Sequence, residues 1–175
     1  VVNERGEPAG YIDTSIQLSD KYRPWYSSRF ANIEEVADYW MKNYNTLKEK
    51  TELFTDAFYA TTLPAEVVEA VAANLTILKS PTIFRQYDGR MWNWEGCGNE
   101  YGSCYGSCTH VWNYAQAIPH LFPKMERTLR ETEFFVSQAK NGHQAFRSAL
   151  PIRPIRHNFH AAADGQLGGI MKVYR

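Results

Sequence analysis

The segment Ile33-Glu34-Glu35-Val36-Ala37-Asp38-Tyr39-Trp40-Met41-Lys42-Asn43-Tyr44-Asn45-Thr46-Leu47 places its apolar residues Ile33, Val36, Ala37, Trp40, Met41, Tyr44 and Leu47 at steps of three and four. That spacing keeps them on one face of an α-helix of about four to five turns, where a strand would require alternation. The next apolar segment repeats the pattern. Val67, Val68, Val71, Ala72, Leu75 and Leu78 follow Pro64, a residue suited to the first helical position because its φ is fixed and no N–H is needed there. With residues 51–63 as the connection, the two segments read as an antiparallel helical pair, ended by Ser80-Pro81. Residues 82–94, with Tyr87-Asp88-Gly89-Arg90 as the turn, read as extended chain or a short hairpin. A further helix begins near Thr109 and is broken by Pro119 and Pro123, and another runs from Lys124 with Met125, Leu129, Thr132, Phe135 and Val136 on one side. After Asn141-Gly142 and an irregular stretch holding Pro151 and Pro154, Asp164 reads as the N-cap of a final helix. The expected class is all-α, with helix pairs joined by long loops and the chemistry in the loops.

Composition narrows the function classes. A chain of 175 residues, 44% hydrophobic and 22% charged, can bury a sizeable core as one domain. Lys plus Arg and Asp plus Glu both number 19, so no excess charge points to nucleic acid or to an anionic membrane. No apolar run approaches the roughly 20 residues of a membrane span. The start, Val1-Val2-Asn3-Glu4-Arg5, has neither an initiator Met nor a signal-peptide pattern, and the apolar stripe of Leu167, Ile170, Met171 and Tyr174 runs to the last residues. The chain therefore reads as a piece of a longer protein. There is no glycine-rich phosphate motif, no Gly-x-Ser-x-Gly elbow and no repeat at a fixed period.

The chemistry-bearing residues gather in Trp92-Asn93-Trp94-Glu95-Gly96-Cys97 and Thr109-His110-Val111-Trp112-Asn113-Tyr114. A carboxylate just after two indoles, followed by polar and aromatic groups opening a helix, suits a site that stacks a sugar ring and hydrogen-bonds its hydroxyls. Against this, Glu95 reads equally as half of an ion pair with a loop arginine such as Arg90. Cys97, Cys104 and Cys108 are an odd set whose spacing fits no common disulfide framework. With His110 they can be counted as four zinc ligands, which leaves a zinc-stabilised interaction module as an alternative; otherwise they are free thiols packed in a tight loop.

Glu95-Gly96-Cys97, Gly106-Ser107-Cys108-Thr109-His110-Val111-Trp112-Asn113-Tyr114, Leu121-Phe122-Pro123, Glu126-Arg127, Arg130-Glu131 and Ala163-Asp164-Gly165-Gln166 resemble the catalytic region of glycoside hydrolase family 116. That family holds bacterial and archaeal β-glucosidases and non-lysosomal glucosylceramidases. Tyr22-Arg23-Pro24-Trp25-Tyr26 and Leu63-Pro64 fit the same region, so the likeness spans residues 22–175. The resemblance implies an (α/α)6 barrel, of which residues 1–175 are the N-terminal portion. It further implies that about residues 1–20 are a linker from a preceding β-sandwich, with the remaining half of the barrel expected downstream. It implies Glu95 as the nucleophile of a retaining mechanism on a β-glucoside, with no cofactor. The family's acid/base, an Asp in an Asn-Thr-Tyr-Asp type segment, has no counterpart in this sequence and is expected beyond it. That absence keeps a non-catalytic sugar-binding protein as a further alternative. Trp94, Thr109, His110, His160 and Asp164 are the candidate substrate-binding residues. Relatives carry an Asp where this chain has His110. Thr109 and Asp164 read equally as helix N-caps, and His110 as a core histidine. Trp92 and Trp94 would wall the pocket, and Trp94, Trp112 and Tyr114 are the candidate sugar platforms.

Overall fold

The computed structural model describes residues 24–93, 95–97, 102–103, 107–148, 152 and 161–175. After a 3-10 turn at Trp25–Ser28 comes α1, Ile33–Tyr59. Its start is a reciprocal cap: the Asn32 side chain accepts from the Glu35 N–H at 2.9 Å, and Glu35 Oε2 accepts from the Ala31 N–H at 2.8 Å. The helix runs past Thr51, so the expected connection shrinks to the few residues before Pro64, which is the N-cap of α2, Ala65–Leu75. Neither helix buries a residue. The two do not form the expected pair with a buried seam; α1 keeps Trp40, Met41, Tyr44 and Leu53 exposed and reaches the rest of the molecule through Phe54, stacked on Phe122 with centroids 6.0 Å apart.

The hairpin read from residues 82–94 is present. Strand β1, Ile83–Arg85, pairs antiparallel with β2, Met91–Asn93, and the turn uses Gly89 at φ 95, a conformation open to glycine. Two further pairs correct the all-α expectation: β3, Gly96–Cys97, with β4, Gly102–Ser103, and β5, Ser107–Cys108, with β6, Arg147–Ser148. Strands of two residues leave no period in a sequence, so pattern alone could not find them. The molecule is mostly helical with small two-stranded sheets, and the described elements do not lay out a barrel.

Helix α3, Thr109–Trp112, stops before Pro119 rather than at it, and both prolines open helices: Pro119 lies in the first turn of α4, Ile118–Leu121, and Pro123 begins α5, Pro123–Glu131. A π-helical turn, Thr132–Ser137, follows α5. Its wider winding shifts the face, and Phe135, expected inward, is 84% exposed. The last helix, α6, is Ala163–Tyr174. Met91, Trp112, Ala115, Ile118 and Leu129 form the apolar core, flanked by Leu75, Leu78, Phe122 and Met125. Beside it lies a buried ionic cluster. Arg130 reaches Glu126 Oε1 through Nε at 3.0 Å and Glu133 Oε2 through Nη1 at 2.6 Å, and Lys172 Nζ stands 3.9 Å from Glu126 Oε1.

Candidate functional site

Two neighbouring strands lead into the site residues. The N–H of Asn93, at the end of β2, donates to Ser107 Oγ on β5 at 3.2 Å, so the chain leaving β2 toward Glu95 and the chain leaving β5 into α3 start side by side. Opposite Cys108 on β6 is Arg147, whose Nη2 donates to Glu95 Oε2 at 2.8 Å. The guanidinium side chain is only 10% exposed while that of Glu95 remains 42% exposed, so a nearly buried cation anchors a carboxylate that still faces solvent. Arg90, the arginine suggested as the partner of Glu95, instead donates to Thr132 Oγ1 at 2.6 Å and pairs with Asp88 at 3.9 Å.

The second part of the site is the junction of α3 and α6. Thr109 opens α3 with both its N–H and its hydroxyl donating to the Phe146 carbonyl, at 2.9 and 3.1 Å; it is buried, and its side chain is committed to the chain entering β6. Glycines on α6 let the two backbones meet. A Cβ on Gly165 would stand 2.5 Å from Thr109 Oγ1 and 2.8 Å from the His110 backbone nitrogen, and one on Gly168 would overlap the Asn113 side chain. This approach brings Asp164 to His110, and Asp164 Oδ2 hydrogen-bonds His110 Nδ1. The N-cap of α6 is Ala162, so Asp164 spends its carboxylate across the junction and not on the expected cap. Partial burial raises the Asp164 pKa, but the Gly165 N–H and the His110 ring outweigh it and hold the carboxyl below the usual aspartate range. The His110 ring and the exposed ring of Tyr114 meet in a T-shaped contact, with centroids 5.7 Å apart.

Other expectations divide. Trp94, His160 and Cys104 lie outside the described residues, and of Cys97 only the backbone is described. Trp92 is fully buried with Nε1 donating to Gln86 Oε1 at 2.6 Å, and Trp112 is buried with Nε1 donating to Glu126 Oε2 at 3.0 Å. Both indoles belong to the interior, so neither is a wall or platform for a sugar; Tyr114 stays exposed. Cys108 is a buried free thiol, His110 Nδ1 is taken by Asp164, and among the described residues no group of three or more His, Cys, Asp and Glu could hold a metal.

Arg147 was missed in the sequence, where a lone Arg after Phe146 carries no pattern. The side-chain amide of Asn93, the Ser148 hydroxyl and Arg147 Nη1, on the strands that lead to Glu95 or hold it, are buried without a hydrogen-bond partner among the described residues. The chain matches no family model, and neither a curated protein nor a solved structure matches it.

Proposed function

We propose that this chain is part of the catalytic domain of a retaining β-glycosidase of the (α/α)6-barrel type, acting on β-glucosides. The observation that carries the reading is the Glu95 carboxylate, anchored on one oxygen by Arg147 and still open to solvent, on a chain that starts beside the one entering the His110–Asp164 junction. In the first step a Glu95 oxygen bonds to the anomeric carbon as the glycosidic C–O bond breaks, and a carboxylic acid about 5 Å away protonates the departing oxygen. Water then attacks the same carbon, its proton returns to that second carboxylate, and Glu95 leaves as a carboxylate. Arg147 supports this role by fixing the carboxylate's direction. The His110–Asp164 pair supplies an imidazole and a carboxylate for sugar hydroxyls, and Tyr114 an exposed ring face.

Glu95→Gln in the full-length protein is expected to lower kcat for a β-glucoside by at least about 100-fold with little change in KM, because shape and hydrogen bonding remain while the nucleophile is lost. A 2-deoxy-2-fluoroglucoside with a good leaving group should label Glu95 covalently, as read by peptide mass spectrometry. Near-normal turnover in the variant, or labelling of another carboxylate, rejects the assignment. Sugar binding without turnover in the unmodified full-length protein would place it among non-catalytic carbohydrate binders.

A further inference from the structure

The buried ionic cluster lies where the two helices of the His110–Asp164 junction meet. Lys172 is on α6, about two turns beyond Asp164. Its side chain has no solvent exposure, and Nζ donates to the backbone carbonyl of Trp112, the last residue of α3, at 2.6 Å. The same carbonyl accepts from the Ala115 N–H at 3.0 Å, so the ammonium is its second donor and the one that ties this helix end to α6. The indole of the same Trp112 donates from Nε1 to Glu126 Oε2, and Glu126 Oε1 faces Lys172 Nζ. Trp112 is thus held at the main chain by α6 and at the ring by α5. The glycine contacts of Gly165 and Gly168 set how closely α6 approaches α3, but flat contacts resist sliding poorly. A directed polar anchor fixes the register.

We propose that Lys172 is a positioning residue: its ammonium, seated on the Trp112 carbonyl, sets the register of α6 on α3 and so holds Asp164 against His110. The importance of this for sugar binding rests on the reading given above, whereas the coupling between Lys172 and the pair does not. Five groups face the ammonium: the Trp112 ring from α3, 5.4 Å from Nζ to its centroid; Glu126 and Arg130 from α5; Glu133 from the π turn; and Arg175 after α6. Burial pulls its pKa down to about 8, with Arg130 and Arg175 adding to the fall and Glu126 and Glu133 opposing it. The anchor therefore discharges within a range that solution spectroscopy reaches.

The test is a pH titration of the isotopically labelled full-length protein, following the ring nitrogen shifts of His110 and the amide shifts of Asp164 and Gly165. The wild type should show a step near pH 8 in all three. Glu126→Gln, which keeps the shape but removes a charge that favours the ammonium, should move that step down by about one pH unit. Lys172→Met should abolish it and display the high-pH shifts already at pH 7. A wild type without the step overturns the proposal, as does a step unmoved in Glu126→Gln, or Lys172→Met shifts that match the wild type at pH 7. Where Lys172→Met does not fold, the first two arms decide. None of these measurements uses a substrate, so an inactive Glu95 assignment and a failed anchor are told apart.

Discussion

Glu133 lies in the same cluster. Burial pushes its carboxyl up to about 7; Arg130 pulls it down, Glu126 pushes it further up and Lys172 pulls it down, so burial wins. A carboxyl whose folded pKa exceeds its unfolded one favours folding fully below about 4.5, and that contribution is lost as pH rises through about 7. Lys172 has the opposite sign: its folded pKa of about 8 lies below the unfolded 10.5, so its contribution is present above 10.5 and lost as pH falls through 8. Replacing Glu133 by Gln removes the cost of ionising a buried acid. The variant should therefore gain stability relative to wild type on going from pH 5 to pH 8, on the order of 1 to 3 kcal/mol. Calorimetric melting at the two pH values checks this, and an offset that stays constant with pH contradicts it. None of this was legible in the sequence, where no pattern sets Lys172 or Glu133 apart from the other charges. Glu95 stands out in the sequence as a lone carboxylate just after two indoles. Arg147, its partner, was not, because the two are 52 positions apart and only strand pairing brings them together.

The element most exposed to a single change is α6. Asn113, which a Cβ on Gly168 would overlap, cannot simply swing aside, since Gln116 Nε2 donates to both its side-chain oxygen and its backbone carbonyl. Ala is the better helix former by about 1 kcal/mol, yet overpacking typically costs about 1–3 kcal/mol. Gly168→Ala is expected to be net destabilising and to perturb the His110 ring signals; a variant that melts higher with those signals unchanged would show that the junction has slack. Periodicity located α1 and the existence of α2, because long amphipathic segments announce themselves. It also located α5 with Leu129 inward, but not Glu126 and Arg130, which share that buried face and look like solvated charges in a sequence. It also took Pro119 for a breaker when the chain had already left α3, a boundary set by the meeting with α6 that no local propensity encodes.

Across the whole molecule, protection is unevenly distributed. The 27 residues of α1 bury no side chain, whereas Leu129, Trp112 and Met91 lie in the core. Local opening needs the least energy where few buried contacts are lost. Amides in the middle of α1 should therefore exchange with deuterium at least about 100-fold faster than those of α5, as read by exchange mass spectrometry; equal protection would mean that the α1 stripe is covered in solution. The glycines of the α3 junction have an opposite consequence. Gly165 and Gly168, which meet the α3 side, are two of the four buried residues of α6, and each weakens a free helix by about 1 kcal/mol relative to Ala. A segment so composed has little reason to coil on its own, so α3 acts as its template: the surface that receives the glycines is also what makes that stretch helical. Asp164 is not carried to His110 on a ready-made rod, because docking writes the helix and the hydrogen bond in one event.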